Sequence, residues 1–75
     1  MAETVRLHIE VEGDGIVVTL PGTTFRVIYR KPNQSPGLVS CGIRGDKRAG
    51  IREVDFLARA WWVTNDKARE LGWIV

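Results

Sequence analysis

Cysteine and histidine are almost absent from this chain of 75 residues, which contains only Cys41 and His8. One cysteine cannot form an intramolecular disulfide, and small secreted domains usually depend on several. One cysteine and one histidine also cannot supply the four ligands of a structural zinc site. The composition therefore predicts no disulfide framework, metal site or cofactor, and it favours a cytoplasmic protein.

Long apolar runs are missing as well. No stretch is apolar for long enough to cross a bilayer, so we expect no membrane contact. The segment from Met1 to Thr4 has an acid and no cationic run, so we expect no secretion signal. The length predicts a single domain, residues 1–75. A domain this small buries only about 60% of the surface of its unfolded chain, which leaves oligomerisation open.

Acidic residues are scarce in the middle of the chain. Residues 26–52 contain seven cations and one acid, a net charge of +6, whereas residues 1–25 and 53–75 carry −3 and −1. Contacts from Lys and Arg to phosphates provide most non-specific affinity for nucleic acid. The segment therefore suggests a nucleic-acid-associated protein as an alternative function. The candidate residues are Arg26, Arg30, Lys31, Lys47, Arg48 and Arg52.

The competing interpretation of this segment is ordinary charge pairing within a sheet. Arg26 and Arg30 would then pair with acids on a neighbouring strand, such as Glu10 and Glu12. Tyr29 is predicted to point inward, which leaves no aromatic side chain between the two arginines on which a base would stack. We prefer the pairing interpretation.

Alternation of apolar and polar residues predicts an antiparallel sheet. The alternation is unbroken from Thr4 to Glu12. Gly13-Asp14-Gly15 and Pro21-Gly22 have the composition of tight turns, and the prolines of residues 31–37 indicate a loop. Strands are predicted at residues 4–12, 16–20, 24–31 and 38–44.

An amphipathic helix is predicted from about Arg52 to Leu71, with acids in its first turn and bases in its last. Its predicted inward stripe consists of Leu57, Trp61, Thr64, Ala68 and Leu71. Gly72 is expected to end the helix in a left-handed conformation. Trp73 would then fold back toward Ala68.

These elements predict an α+β fold, an antiparallel meander of three or four strands followed by one C-terminal helix packed on one face (β-β-β-β-α). The fourth strand contains Gly42 and has no clear alternation; we expect Val39, Cys41 and Ile43 to face inward. The face covered by the helix is expected to comprise Val5, Leu7, Ile9, Val18, Phe25 and Val27.

Groups suited to catalysis are few. His8 has no direct partner on its strand, and Cys41 is expected to behave as a small core residue. The glycines at residues 13–15 and 45–50 lack the pattern of a phosphate-binding loop. We therefore predict no catalytic residue and no enzymatic activity.

Trp62 is predicted on the outer side of the helix, almost opposite the inward stripe. Tryptophan and arginine near a small residue are typical of interaction hot spots. The sequence thus predicts binding of a protein partner, or of a second copy of the chain, through Trp62, Arg59, Ala58, Asp66 and Arg69. Three alternatives stay open: Trp73 or the C-terminal tail covers Trp62, the helix lies in a deeper groove, or a partner binds the open sheet face around Val17 and Ile28.

The whole chain resembles a group of small uncharacterised bacterial proteins, in particular in the segments Phe56-Leu57-Ala58-Arg59-Ala60-Trp61 and Lys67-Ala68-Arg69-Glu70-Leu71-Gly72-Trp73. That group has no assigned activity, so the resemblance implies no site. It implies a bacterial, cytoplasmic protein.

Overall fold

The computed structural model describes residues 6–74. Its elements are β1 (His8–Glu12), β2 (Gly15–Thr19), β3 (Arg26–Arg30), β4 (Val39–Arg44) and α1 (Glu53–Glu70). The strands form one antiparallel sheet in the order β1-β2-β3-β4. This meander followed by a C-terminal helix confirms the predicted α+β fold. Thr4 and Val5, the predicted start of the first strand, lie outside the described residues.

Short turns connect the first three strands, as predicted. A two-residue link joins β1 to β2. Pro21 and Gly22 occupy the centre of the next turn, which closes when the Thr23 N–H donates to the Leu20 carbonyl at 3.1 Å. Because these turns are so short, each strand pairs with the one before it.

The core lies between α1 and the two central strands, β2 and β3. The rings of Phe25 and Phe56 stack there with centroids 4.8 Å apart and planes inclined by 16°. Ala60 and Ala68 are fully buried, and their small side chains let the helix approach the sheet closely. The buried apolar residues are Ile16, Val18, Phe25, Val27, Tyr29, Leu38, Phe56, Ala60 and Ala68.

The buried stripe of α1 differs from the predicted one. It consists of Phe56, Ala60, Thr64 and Ala68. Trp61 is 44% exposed and Leu71 is also exposed, so their placement in the core is wrong, whereas Leu57 is partly buried. The ring of Phe56 stacks on Phe25 in the core, and the buried stripe is turned by about 40° from the predicted one. Trp61 therefore lies at the border of the core.

β4 is irregular because it contains a bulge. Cys41 and Gly42 together oppose the single residue Ile28 of β3, and Gly42 has a φ of 137° that favours glycine. The extra residue interrupts the alternation along the strand. Val39 and Cys41 are exposed, so the prediction that they face inward is wrong. Ile43 is on the helix side of the sheet but is half exposed, because α1 lies over β2 and β3.

The end of α1 has the predicted geometry. Gly72 adopts a φ of 80°, its N–H donates to the Arg69 carbonyl at 3.1 Å, and the Trp73 N–H donates to the Ala68 carbonyl at 2.8 Å. This pair of hydrogen bonds defines a Schellman motif. The motif folds the chain back, so that Trp73 and Ile74 pack against the core.

Candidate functional site

Trp62 lies on the side of α1 opposite the buried stripe and is 69% exposed. Trp73 packs against the core, and residues 6–74 leave most of the Trp62 ring accessible. Covering of Trp62 by Trp73, the alternative that the sequence leaves open, is therefore not observed in this part of the chain.

An apolar surface extends from Trp62 toward the sheet. Val54, which is 61% exposed, and Ala58 lie on the same flank of the helix as Trp61. The ring of Trp61 contacts Tyr29 of β3 with centroids 5.7 Å apart. We call the surface formed by Val54, Ala58, Trp61 and Trp62 the tryptophan face.

Charged residues of both signs border the tryptophan face. Arg69 pairs with Asp66 at 3.3 Å, and both residues are exposed. Arg59 is exposed and forms no salt bridge with any residue in the range 6–74. Exposed pairs one helical turn apart contribute little to stability, so these charges are available to a partner.

Asp55 belongs to the same border, although the sequence-based hypothesis omits it. It pairs with Arg52 at 3.3 Å and is exposed. Asp55, Trp62 and Arg69 follow one another at intervals of seven residues, which is about two helical turns. They therefore lie along one line of the helix. The sequence shows this spacing. Asp55 lies in the first turn of the helix, however, where its favourable interaction with the helix dipole already explains an acid.

The predicted nucleic-acid-binding residues belong to two parts of the fold. Arg26 and Arg30 are at opposite ends of β3, and Lys31 follows Arg30. The others, Lys47, Arg48 and Arg52, are outside the sheet, in the segment between β4 and α1. Arg52 forms a salt bridge with Asp55. The candidate residues thus come from β3, from the residue after it and from the segment before α1.

Arg44 is a basic residue that the candidate set lacks, and it lies directly opposite Arg26 in the pairing of β3 with β4. Arg26 and Arg30 form no salt bridge with Glu10 or Glu12, so the preferred interpretation of their charges is wrong. The reason is the strand order, since β2 separates the acids of β1 from β3. The sequence gives no signal for the Arg26–Arg44 pair, because its register depends on the bulge.

Among residues 6–74, the two apolar residues at the centre of the open sheet face have little exposed surface. Val17 is only 6% exposed, and its neighbour Ile28 is half-buried. Docking of a partner around these two residues stays a prediction.

The segment before α1 is fixed to the sheet by Asp46. The Asp46 carboxylate accepts hydrogen bonds from the backbone N–H groups of Thr24 and Arg48, both at 2.9 Å, and these bonds lower the pKa of Asp46. The Thr24 hydroxyl donates to the Gly45 carbonyl at 2.7 Å. A cavity of about 520 Å³ opens between this segment, Phe25 and the start of the helix. Its lining includes the acids Asp46 and Glu53 and the bases Lys47 and Arg52.

The two residues with the most versatile chemistry are isolated. His8 is exposed on β1, and Cys41 is exposed on β4 with a single weak hydrogen bond to the Val39 carbonyl at 3.8 Å. Within residues 6–74 no three His, Cys, Asp or Glu side chains are grouped so that they could bind a metal ion.

Comparison with known proteins gives no match, whether with protein-family models, curated proteins or solved structures. The resemblance to small bacterial proteins stays a prediction. In the described part of the chain, no helix combines the length and the apolar character needed to cross a membrane.

Proposed function

We propose that the protein is a non-enzymatic interaction module that forms a symmetric homodimer through the tryptophan face. The exposure of Trp62, continuous with Val54 and Trp61, is the observation that supports this function most. Tryptophan is the residue most enriched among interface hot spots, and monomeric proteins seldom expose such apolar patches without a function. A cytoplasmic location is part of the proposal, since an exposed free thiol at Cys41 suits a reducing compartment.

The order of charges along α1 favours a second copy as the partner. Asp55 precedes Trp62 by seven residues, and Arg69 follows it by seven. When two copies of the helix cross antiparallel at Trp62, Asp55 of each copy lies beside Arg69 of the other. A twofold axis repeats every such contact, as a closed dimer requires.

A second charge pair has the same arrangement closer to the centre. Arg59 precedes Trp62 by three residues and Asp66 follows it by four, so the twofold axis also brings these opposite charges together. Ala58 lies between Trp61 and Trp62 around the helix, and its small side chain allows close approach of the helices. The surface is therefore complementary to itself in charge and in shape.

The small size of the chain is a thermodynamic reason to expect a dimer. The residues of β4 are all exposed, and a domain of 75 residues has little core to stabilise it. A standard interface buries roughly 800 Å² on each partner, of which one large aromatic side chain supplies about 150–250 Å². Trp61 and Trp62 together thus provide a substantial share of that area.

Charge reversal tests the arrangement. Asp55→Arg and Arg69→Asp each place like charges at both symmetric contacts, so each variant alone should shift toward the monomer at low salt. An equimolar mixture should dimerise again, because each contact then joins opposite charges. Sedimentation velocity measures all three samples.

Glu70→Arg is the matched control, since Glu70 is on the same helix but borders the side facing Ile9 of β1. Its mass should equal that of the parent chain. Variants at Asp55 and Arg69 that dimerise alone as well as the parent would refute the antiparallel arrangement, as would a mixture that stays monomeric.

A further inference from the structure

Two arginines lie on neighbouring strands at one end of the sheet. Arg26 and Arg44 are direct partners in the pairing of β3 with β4, and both are exposed. Like charges at directly opposed positions destabilise an antiparallel pair. Within residues 6–74 no acid forms a salt bridge with either of them. The sheet therefore brings together two positive charges that form no salt bridge within residues 6–74, and the nearby Asp46 carboxylate is hydrogen bonded instead to the backbone N–H groups of Thr24 and Arg48.

The bulge leaves a space beside this pair. A shallow cavity of about 190 Å³ is lined by Arg26, Ile28, Gly42, Ile43 and Arg44. Gly42 contributes no side chain, and a Cβ added there would meet no atom within 4 Å. The cavity is thus open to solvent and bordered by both guanidinium-bearing residues.

We propose that Arg26 and Arg44 form a binding site for a phosphate group. The planar guanidinium presents paired N–H donors that match phosphate oxygens, so two arginines on either side of a small cavity suit one such group. The bound anion removes the repulsion between the arginines. The phosphate belongs to a small molecule or to the backbone of a nucleic acid, and in the second case Arg30, at the other end of β3, provides a further contact.

Thermal unfolding in phosphate and in chloride at matched ionic strength tests the site. The parent chain should melt at a higher temperature in phosphate, because an anion that binds only the folded state stabilises it. Arg44→Gln and Arg26→Gln should lose this phosphate-specific increment. In chloride, Arg44→Gln should melt no lower than the parent, since it removes a like-charge contact.

Arg30→Gln is the matched control, because Arg30 lies on the same strand and face but does not line the cavity. It should keep the increment of the parent with inorganic phosphate. An equal increment in all four proteins would overturn the proposal, since it would show a general salt effect. A parent chain that melts at the same temperature in both salts would overturn it as well.

Direct titration with inorganic phosphate and with a single-stranded oligothymidylate, monitored by NMR, distinguishes a small molecule from a nucleic-acid backbone as the source of the phosphate. In either case the backbone signals of Arg26, Gly42 and Arg44 should shift, and Arg44→Gln should weaken binding about tenfold or more. Weaker oligonucleotide binding by Arg30→Gln would identify a nucleic-acid backbone. Binding of inorganic phosphate alone would identify a small molecule, and shifts confined to other residues with both probes would refute the site.

Discussion

The ring of Trp61 contacts the ring of Tyr29 with centroids 5.7 Å apart and planes inclined by 58°, yet Trp61 remains nearly half exposed. One side of the indole therefore contributes to the core and the other belongs to the tryptophan face. Trp62, the next residue, contributes to the surface alone. Replacement of Trp61 should therefore affect the packing of the core, whereas replacement of Trp62 should affect only the surface.

Truncation of Phe56, which lies in the core, and of Trp61, which lies at its border, should lower the free energy of unfolding by different amounts. Phe56→Ala removes a fully buried ring stacked on Phe25 and should lower the free energy of unfolding by about 3–5 kcal/mol. Trp61→Ala should cost less than half as much, because only one side of its ring is packed. Urea midpoints measured in a Trp62→Glu background exclude a contribution from dimerisation. A larger loss at Trp61 than at Phe56 would contradict the structure.

The hydroxyl of Thr64 is buried under α1 without a hydrogen-bond partner in the described chain. Such a group costs about 1–3 kcal/mol, and valine has nearly the same shape without it. Thr64→Val should therefore raise the urea midpoint. Thr64→Ser, which keeps the hydroxyl and loses a methyl group, should lower it. A destabilised Thr64→Val protein would show that the hydroxyl has a partner.

Gly72 ends α1 with a φ of 80° that a side chain disfavours. Gly72→Ala should destabilise the protein by about 1 kcal/mol, the usual cost of a left-handed non-glycine residue. Gly50→Ala, at a position with open space and no positive φ, is the control and should change stability little. Equal midpoints for the two variants would argue against the observed helix end.

The hydrogen bonds to Asp46 predict a pH dependence of stability. Because they lower the pKa of Asp46 in the folded state, its contribution is complete above the usual range of an aspartate and is lost as the pH falls through the lowered pKa. Asp46→Asn should therefore melt below the parent near neutral pH, and the difference should shrink in acid. Asp14→Asn, in the β1–β2 turn, is the control. A difference between Asp46→Asn and the parent that stays constant with pH would exclude this role.

The fold was predictable because its signals are local. Alternation and turn composition specify the meander, and apolar periodicity with Gly72 specifies the helix and its end. The bulge at Gly42 was not predictable, because it depends on how β4 pairs with β3. In that pairing Cys41 is exposed and Arg44 lies directly opposite Arg26.

The helix faces were predictable only in part. The sequence does not show whether Phe56 or Trp61 is fully buried in the core, and the choice turns the helix by about 40°. Trp62 lies far from either stripe, so its exposure follows from both orientations. The positions of Ala58, Arg59, Asp66 and Arg69 on the exposed side follow for the same reason. Whether this surface binds a partner depends on a second molecule, about which one sequence carries only indirect information.

The mass of the protein in solution tests the central claim, dimerisation through the tryptophan face, most directly. Light scattering at two concentrations should give the mass of two chains for the parent at the higher concentration and a lower average on dilution. Trp62→Glu should give the mass of one chain at both concentrations, with an unchanged circular dichroism spectrum. A parent protein with the mass of one chain at both concentrations would contradict the account, as would a Trp62→Glu variant that remains a dimer.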